Sequence, residues 1–199
     1  MRDQWYGDNR DLVKWGILLR LAAIHGAKKI IQVAYFRPNV WDALDIDGES
    51  RPLPEAVIEH FRNCRNISKL TNDPEIQVVE STFSDRAAYE KDVIEIVAEA
   101  YDMPRIVFLD PDTGLAPRNP SLKHVLNDEL ARIWESLHAG DVLVFYQHAN
   151  RNATPWVNVK QKQFECAIGI AHGSAKLARS QKIARDVVFF YARKDSASA

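Results

Sequence analysis

Cysteine is scarce in this chain of 199 residues: Cys64 and Cys166 are the only two, and their separation fits no metal-ligand spacing. The expectation is a pair of reduced thiols in the core or near the surface of a cytosolic protein, because disulfides are rare in that compartment. Long apolar runs are missing as well. None approaches the roughly 18 residues that would span a bilayer. Met1 to Asp11 is polar and carries three aspartates, so it does not read as a signal peptide. A cytoplasmic location without membrane association is therefore expected. Neither charge is in excess: 26 basic residues against 27 acidic ones leave a formal net charge of −1. No global field drives the chain onto nucleic acid or a membrane, although a local basic patch still can. His25, His60, His124, His138 and His172 show no paired spacing, so none is assigned to a metal. Repeats and low-complexity segments are absent.

What is present suffices for a folded core. With 46% hydrophobic residues, a chain of this length buries roughly 70% of its unfolded surface and needs no staples. Residues 1–199 read as a single α/β domain, with 193–199 as a frayed C-terminal tail.

The most telling segment is Arg105-Ile106-Val107-Phe108-Leu109-Asp110-Pro111-Asp112-Thr113-Gly114-Leu115. A short apolar run cut off by an acidic turn reads as a strand buried on both faces of a parallel sheet. Around it, the spacing predicts a helix over Asp11 to Ile24, with a stripe of Leu12, Trp15, Leu18, Leu19 and Ala22. Asp8 or Asn9 would cap this helix and Gly26 would stop it. A first strand follows at Ile30 to Tyr35, then an irregular loop from Phe36 to Pro54, then a helix from Pro54 to about Lys69. Further strands are expected at Ile76 to Val79, Ile106 to Leu109, Val142 to Tyr146 and Val187 to Tyr191. Helices are expected from Ser84 or Asp85 through Tyr101, from Ser121 or Leu122 to His138, and from Val159 to Ala171, continuing past Gly173 to Ala184. Five strands alternating with helices imply a Rossmann-like, doubly wound, mostly parallel sheet with helices on both faces. The last strand could run antiparallel at an edge.

Open α/β sheets bind ligands at the carboxyl ends of their strands. Asp110 and Asp112 fall at such an end, where they could hold Mg²⁺, accept hydrogen bonds from an amine or hydroxyl, or act as a general base. Gln147, His148, Asn150 and Arg151 follow a second buried strand and should share that edge. His148 would serve as a proton shuttle and Arg151 as a clamp for phosphate or carboxylate. Tyr6 to Asp11, just before the first helix, would form part of a ligand rim or simply cap the helix. Trp156, Lys160 and Lys162 suggest a basic aromatic rim, against a plain core role for the tryptophan. Lys176, Arg179, Lys182 and Arg185 recur every three residues and read as a solvated helix face or one that tracks phosphates.

The order of elements resembles a class I S-adenosylmethionine-dependent methyltransferase core. The Asp110-Pro111-Asp112 turn stands where that family carries an Asp/Asn-Pro-Pro-aromatic motif, which holds the target amine in amino-methylating members. The opening Tyr6-Gly7-Asp8-Asn9-Arg10-Asp11-Leu12-Val13-Lys14-Trp15 is similar to the start of a ribosomal RNA adenine-N6 methyltransferase family. The three-Cys-motif partner proteins of bacterial defence loci share this core. The resemblance implies S-adenosylmethionine as cofactor, a nucleic acid or nucleotide as partner, and Asp8, Asn9, Lys14 and Tyr35 near the cofactor. It also implies a reaction centre at Asp110. The chain departs from the family after the first strand, where Ala34 to Asn39 holds no glycine, and at Asp112, which replaces the second proline.

Two rivals follow from the same residues. An apolar strand ending in Asp-x-Asp resembles the first motif of haloacid-dehalogenase-type phosphatases, with Asp110 as nucleophile, Asp112 as acid/base and Mg²⁺ as cofactor. A nuclease using Asp110, Asp112 and Glu129 is a looser version. Loss of the glycine loop instead favours a catalytically degenerate module that binds a nucleotide or a protein.

Overall fold

The computed structural model describes residues 7–37, 43–57, 64–149 and 155–195. Helix α1 spans Asn9–His25, and Asp8 caps it by accepting from the backbone N–H of Arg10 at 2.7 Å and of Asp11 at 3.0 Å. Gly26 ends it in the left-handed region, at φ 67°. The remaining elements are β1 (Lys29–Val33), β2 (Ala43–Ile46), β3 (Glu49–Pro52), a 3₁₀ helix (Cys64–Lys69) and β4 (Glu75–Val78). Then come α2 (Arg86–Ala98), β5 (Arg105–Leu109), β6 (Gly114–Leu115), β7 (His124–Val125) and α3 (Asn127–Ser136). The chain closes with β8 (Val142–His148), α4 (Trp156–Ala167), β9 (Lys176–Ala178) and β10 (Val187–Arg193).

Six strands form one sheet in the order β4-β1-β5-β8-β10-β9. The first four are parallel, with Lys29 to Val33 of β1 opposite Arg105 to Leu109 of β5. Only β10 is reversed, and it lies between β8 and β9. The fold is α/β and Rossmann-like.

Side chains alternate across this sheet with the strand period of two. Ile31, Val33, Val107, Leu109, Leu143, Phe145 and Phe190 face α2, α3 and α4. Ile30, Ile106, Phe108, Val144, Tyr146 and Phe189 face α1. Both faces are covered, which is why β5 is buried throughout and apolar from Ile106 to Leu109.

Several expectations need correction. The buried stripe of α1 includes Asp11 and Lys14 beside Trp15, Leu18 and Ala22, while Leu12 is 66% exposed. The segment expected as an irregular loop holds the β2–β3 hairpin, closed at Asp47 (φ 56°) and Gly48 (φ 82°). Two successive positive φ angles are what a type I′ turn needs. The helix expected from Pro54 is described only at 55–57, and 64–69 is a 3₁₀ helix. The helix expected from Ser121 begins only at Asn127, because His124–Val125 pairs with Gly114–Leu115 instead. The helix expected to reach Ala184 stops at Ala167, and 176–178 is the edge strand β9. The last strand is indeed antiparallel, but it lies inside the sheet. It runs through Arg193, and Lys194 donates its backbone N–H to the Asp141 carbonyl at 2.8 Å. The tail expected to fray from 193 is thus fixed through 194.

Candidate functional site

Four chain segments meet where β1, β5 and β8 end. The backbone N–H of Asp110 still donates to the Val33 carbonyl at 2.9 Å, so the acidic residue continues the β5 ladder by one step. Its side chain therefore falls on the same face as Phe108, toward α1. There, Asp110 Oδ2 accepts from Lys14 Nζ at 2.8 Å and from Gln32 Nε2 at 2.9 Å. Lys14 Nζ also donates to Asp11 Oδ1 at 2.6 Å, and Asp11 Oδ2 accepts from the backbone N–H of Gly7 at 2.6 Å. Asp110, Lys14, Asp11 and Gln32 are all buried. Burial works against a charge on Lys14, but the two adjoining carboxylates outweigh it and hold its pKa above the ordinary lysine value. Burial raises Asp11, and the charge of Asp110 adds to this, against the pull of Lys14. Two carboxylates face one ammonium, so this buried triad favours a further positive or hydrogen-donating group. Gln32 Oε1 is buried and accepts no hydrogen bond among the described residues.

A second chain of contacts extends from the first. Lys14 Nζ lies 5.3 Å from the centre of the Tyr146 ring. Tyr146 Oη is 2.9 Å from His148 Nε2. His148 Nδ1 is 3.7 Å from Asp186 Oδ2, which accepts from Arg10 at 2.6 Å. Arg10 is held in turn by Asp8. Burial pushes His148 below the ordinary histidine value, with Asp186 opposing it, so the ring is neutral near pH 7. Burial and the nearby Asp110 raise the Tyr146 phenol. Asp110 and His148 thus share one edge and one face, joined through Lys14 and Tyr146.

Other expected site residues are placed differently. Asp112 pairs with Arg37, so the two acids of the turn serve separate partners. Gln147 lies in β8 rather than beyond it, and strand alternation turns it to the opposite face from His148. Its Oε1 accepts from the Leu115 backbone at 2.8 Å and its Nε2 donates to the carbonyls of Thr113 and His148, so it braces the loop after Asp112. Asp8 is the cap of α1 and Asn9 is exposed at the helix start. Lys160 is buried and donates to the Leu115 carbonyl, so it forms no rim. Asn150 and Arg151 lie outside the described residues.

The Mg²⁺ readings lose their ligands. Asp110 faces Lys14, Asp112 faces Arg37, and Glu129 of α3 pairs with Arg86 of α2, on the other face of the sheet from Asp110. A metal would have to displace a cation at each. Among the described residues no group of three or more His, Cys, Asp or Glu could hold a metal, and no helix is long and apolar enough to cross a membrane.

The loop after β1 decides whether an adenosyl cofactor fits. Tyr35 stands there with φ 47°, a left-handed conformation that glycine adopts freely and that costs a bulky residue about 1–3 kcal/mol. Its ring is withdrawn into the core, 5.2 Å from Phe83 and 5.3 Å from Tyr89, and its N–H donates to Tyr89 Oη at 2.9 Å. One residue of this loop thus takes a glycine-like backbone conformation, with its side chain packed inward. Glu80 is exposed just past β4, the strand that pairs with β1. The two carboxylates of the triad match the charge of a cationic adenosyl ligand, although the triad itself is buried. Sequence reasoning missed Gln32, Tyr146 and Asp186 as residues of this edge. Asp11 was expected in the rim before the first helix, and its helical spacing with Lys14, Trp15 and Leu18 was the signal that it turns inward.

The sequence matches no known protein family and no curated protein. Among solved structures, one similar chain is a putative methyltransferase from Thermobifida fusca YX. It is 15% identical, with TM-score 0.43, covering 94% of this chain and 80% of that one. Another is a DUF574 family protein from Streptomyces avermitilis MA-4680, 14% identical, with TM-score 0.43, covering 94% of this chain and 82% of that one. At such scores neither likeness speaks to the chemistry of this chain.

Proposed function

We propose that this chain is a methyltransferase-like enzyme that methylates an amino group of a nucleic acid or nucleotide, with the acidic turn at Asp110 as its reaction centre. The observation that carries this reading is the Asp110 carboxylate. Lys14 and Gln32 both bind its Oδ2, and Oδ1 carries no hydrogen bond among the described residues. A carboxylate fixed through one oxygen can accept from an amino N–H through the other, which orients the nitrogen lone pair. The mostly parallel sheet with helices on both faces agrees with the element order of a class I methyltransferase core.

S-adenosylmethionine, when bound, supplies an electrophilic methyl group on a sulfonium. The loop at Tyr35, Glu80 and the Asp11–Lys14–Asp110 triad would hold it, with Asp8 and Asn9 at the rim. Neutral His148, on the neighbouring strand, is the base available at this edge for the proton that the nitrogen loses. Asp112 fixes Arg37 and shapes the turn.

The test is a thermal-shift series with S-adenosylmethionine and S-adenosylhomocysteine. At 100 times its dissociation constant a ligand adds about 2.7 kcal/mol, a rise of roughly 5–11 °C for a chain of this size. No shift with either compound overturns the reading. A shift without methyl transfer to RNA, DNA or nucleotides favours a degenerate binding module, for which Tyr35 in place of glycine speaks. An Asp110→Ala variant that still transfers methyl groups would exclude Asp110 as the centre.

A further inference from the structure

We infer that the segment from Arg179 to Arg185 is a phosphate-binding arm that seats a single strand of nucleic acid across the Asp110 edge. The inference rests on the methyltransferase-like reading and selects a polynucleotide over a free nucleotide as substrate.

The segment connects β9 to β10 and does not form a helix. Its position follows from register. Val187, the first residue of β10, pairs with His148, the last residue of β8. The connection therefore emerges at the carboxyl edge of the parallel strands, beside His148. Asp186 anchors it there through Arg10 at 2.6 Å, and its carbonyl accepts from the Ala149 N–H at 2.7 Å.

From Lys176 to Arg185 the chain has four basic residues and no acidic one. Arg179, Lys182 and Arg185 are all exposed. None of the three forms an ion pair among the described residues, whereas Asp110, Asp112, Asp141 and Asp186 each hold a cation. In a chain of net charge −1, three cations within seven residues and without an internal counterion among the described residues have no evident part in stability. They supply the positive potential that a sugar–phosphate backbone requires, at the one edge where a base could reach Asp110. Enzymes that act on a base need it unpaired or extruded, which favours a single strand. A membrane surface is the weaker alternative, because the cations line an edge occupied by polar groups and Ile183 is the one large apolar side chain exposed within the arm among the described residues.

The experiment is fluorescence anisotropy of the full chain with a labelled single-stranded RNA of about 20 nucleotides, across a salt series. Three phosphate contacts predict a slope of about −2 in log affinity against log salt, a loss of roughly 20-fold between 50 and 200 mM. Arg179→Gln, Lys182→Gln and Arg185→Gln together should lower affinity at least tenfold and flatten the slope. Arg179→Lys with Lys182→Arg and Arg185→Lys should retain binding. Lys91→Gln, on α2 over the other face, should change nothing. Absence of RNA binding, a slope shallower than about −1, or an unaffected triple variant overturns the inference. So does capture by phosphatidylserine vesicles stronger than binding to the RNA. The thermal shift with S-adenosylmethionine is measured on the same samples. RNA binding without that shift removes only the cofactor reading, and that shift without RNA binding removes only the arm.

Discussion

Lys14→Met is the sharpest perturbation of the site. The methionine side chain is close in length to lysine but cannot donate to Asp110 or Asp11, which Lys14 holds at 2.8 and 2.6 Å. Removing the cation from a buried ion pair leaves uncompensated charge and costs about 3–5 kcal/mol. For a chain of this size that corresponds to a fall of roughly 6–20 °C in Tm. Asp110→Asn is the control. It leaves Lys14 paired with Asp11 and keeps an oxygen that can accept from Gln32, so a cost of about 1 kcal/mol is expected. The double variant should be less destabilised than the sum of the two, since the asparagine removes one of the stranded charges.

The pH dependence has a definite sign. Asp11 already lies above its ordinary value of 3.8, through burial first and Asp110 second, with Lys14 as the opposing pull. Without Lys14 it rises further. A carboxyl whose pKa is higher folded than unfolded binds protons more tightly in the native state, so stability falls as pH rises through that window. The deficit of Lys14→Met should therefore be full at about pH 8 and shrink toward about pH 5. Urea denaturation followed by circular dichroism at both values measures it. Equal deficits at the two pH values, or a deficit below about 1 kcal/mol at the higher one, would refute the triad.

Two further outcomes are expected. In Gly114→Ala the new methyl carbon would sit 2.3–2.4 Å from the Gln147 side chain, at φ 128°, so a loss of about 2–4 kcal/mol should appear in urea titrations. Gln147→Ala in the same background should restore only part of it, because the backbone strain remains; full restoration would place the whole cost in the clash. Arg105→Met strands Asp141, which accepts from the Arg105 guanidinium at 2.7 Å and from its backbone N–H at 2.9 Å. A loss of about 3–5 kcal/mol is expected, and a fall in Tm of less than roughly 2 °C would contradict it.

The residues differ in how much of this was legible. Strand β5 could be read because an apolar run with no polar alternation fits only a sheet covered on both faces. The ends of α1 could be read because Asp8 and Gly26 supply a donor-capping oxygen and a left-handed stop. The β2–β3 hairpin was hidden because all eight of its strand residues are exposed and only Leu44 and Ile46 alternate on one face. Its Asp47-Gly48 pair was the available signal. The supposed helix over Lys176 to Arg185 was a false period: cations three apart also fit an edge strand and its exit loop. Gly173 already broke the pattern.

The local code fixed what depends on neighbours in the chain: caps, buried runs and the acidic turn at a strand end. The register of β1, β5, β8 and β10 decided the rest, since a side chain's direction in a strand depends on where the strand starts and stops. It sent Asp110 and His148 to the α1 face and Gln147 to the other. It also gave Asp110 and Asp112 different cations, from residues far away along the chain. Those pairings are contacts across space, and no spacing within the sequence encodes them.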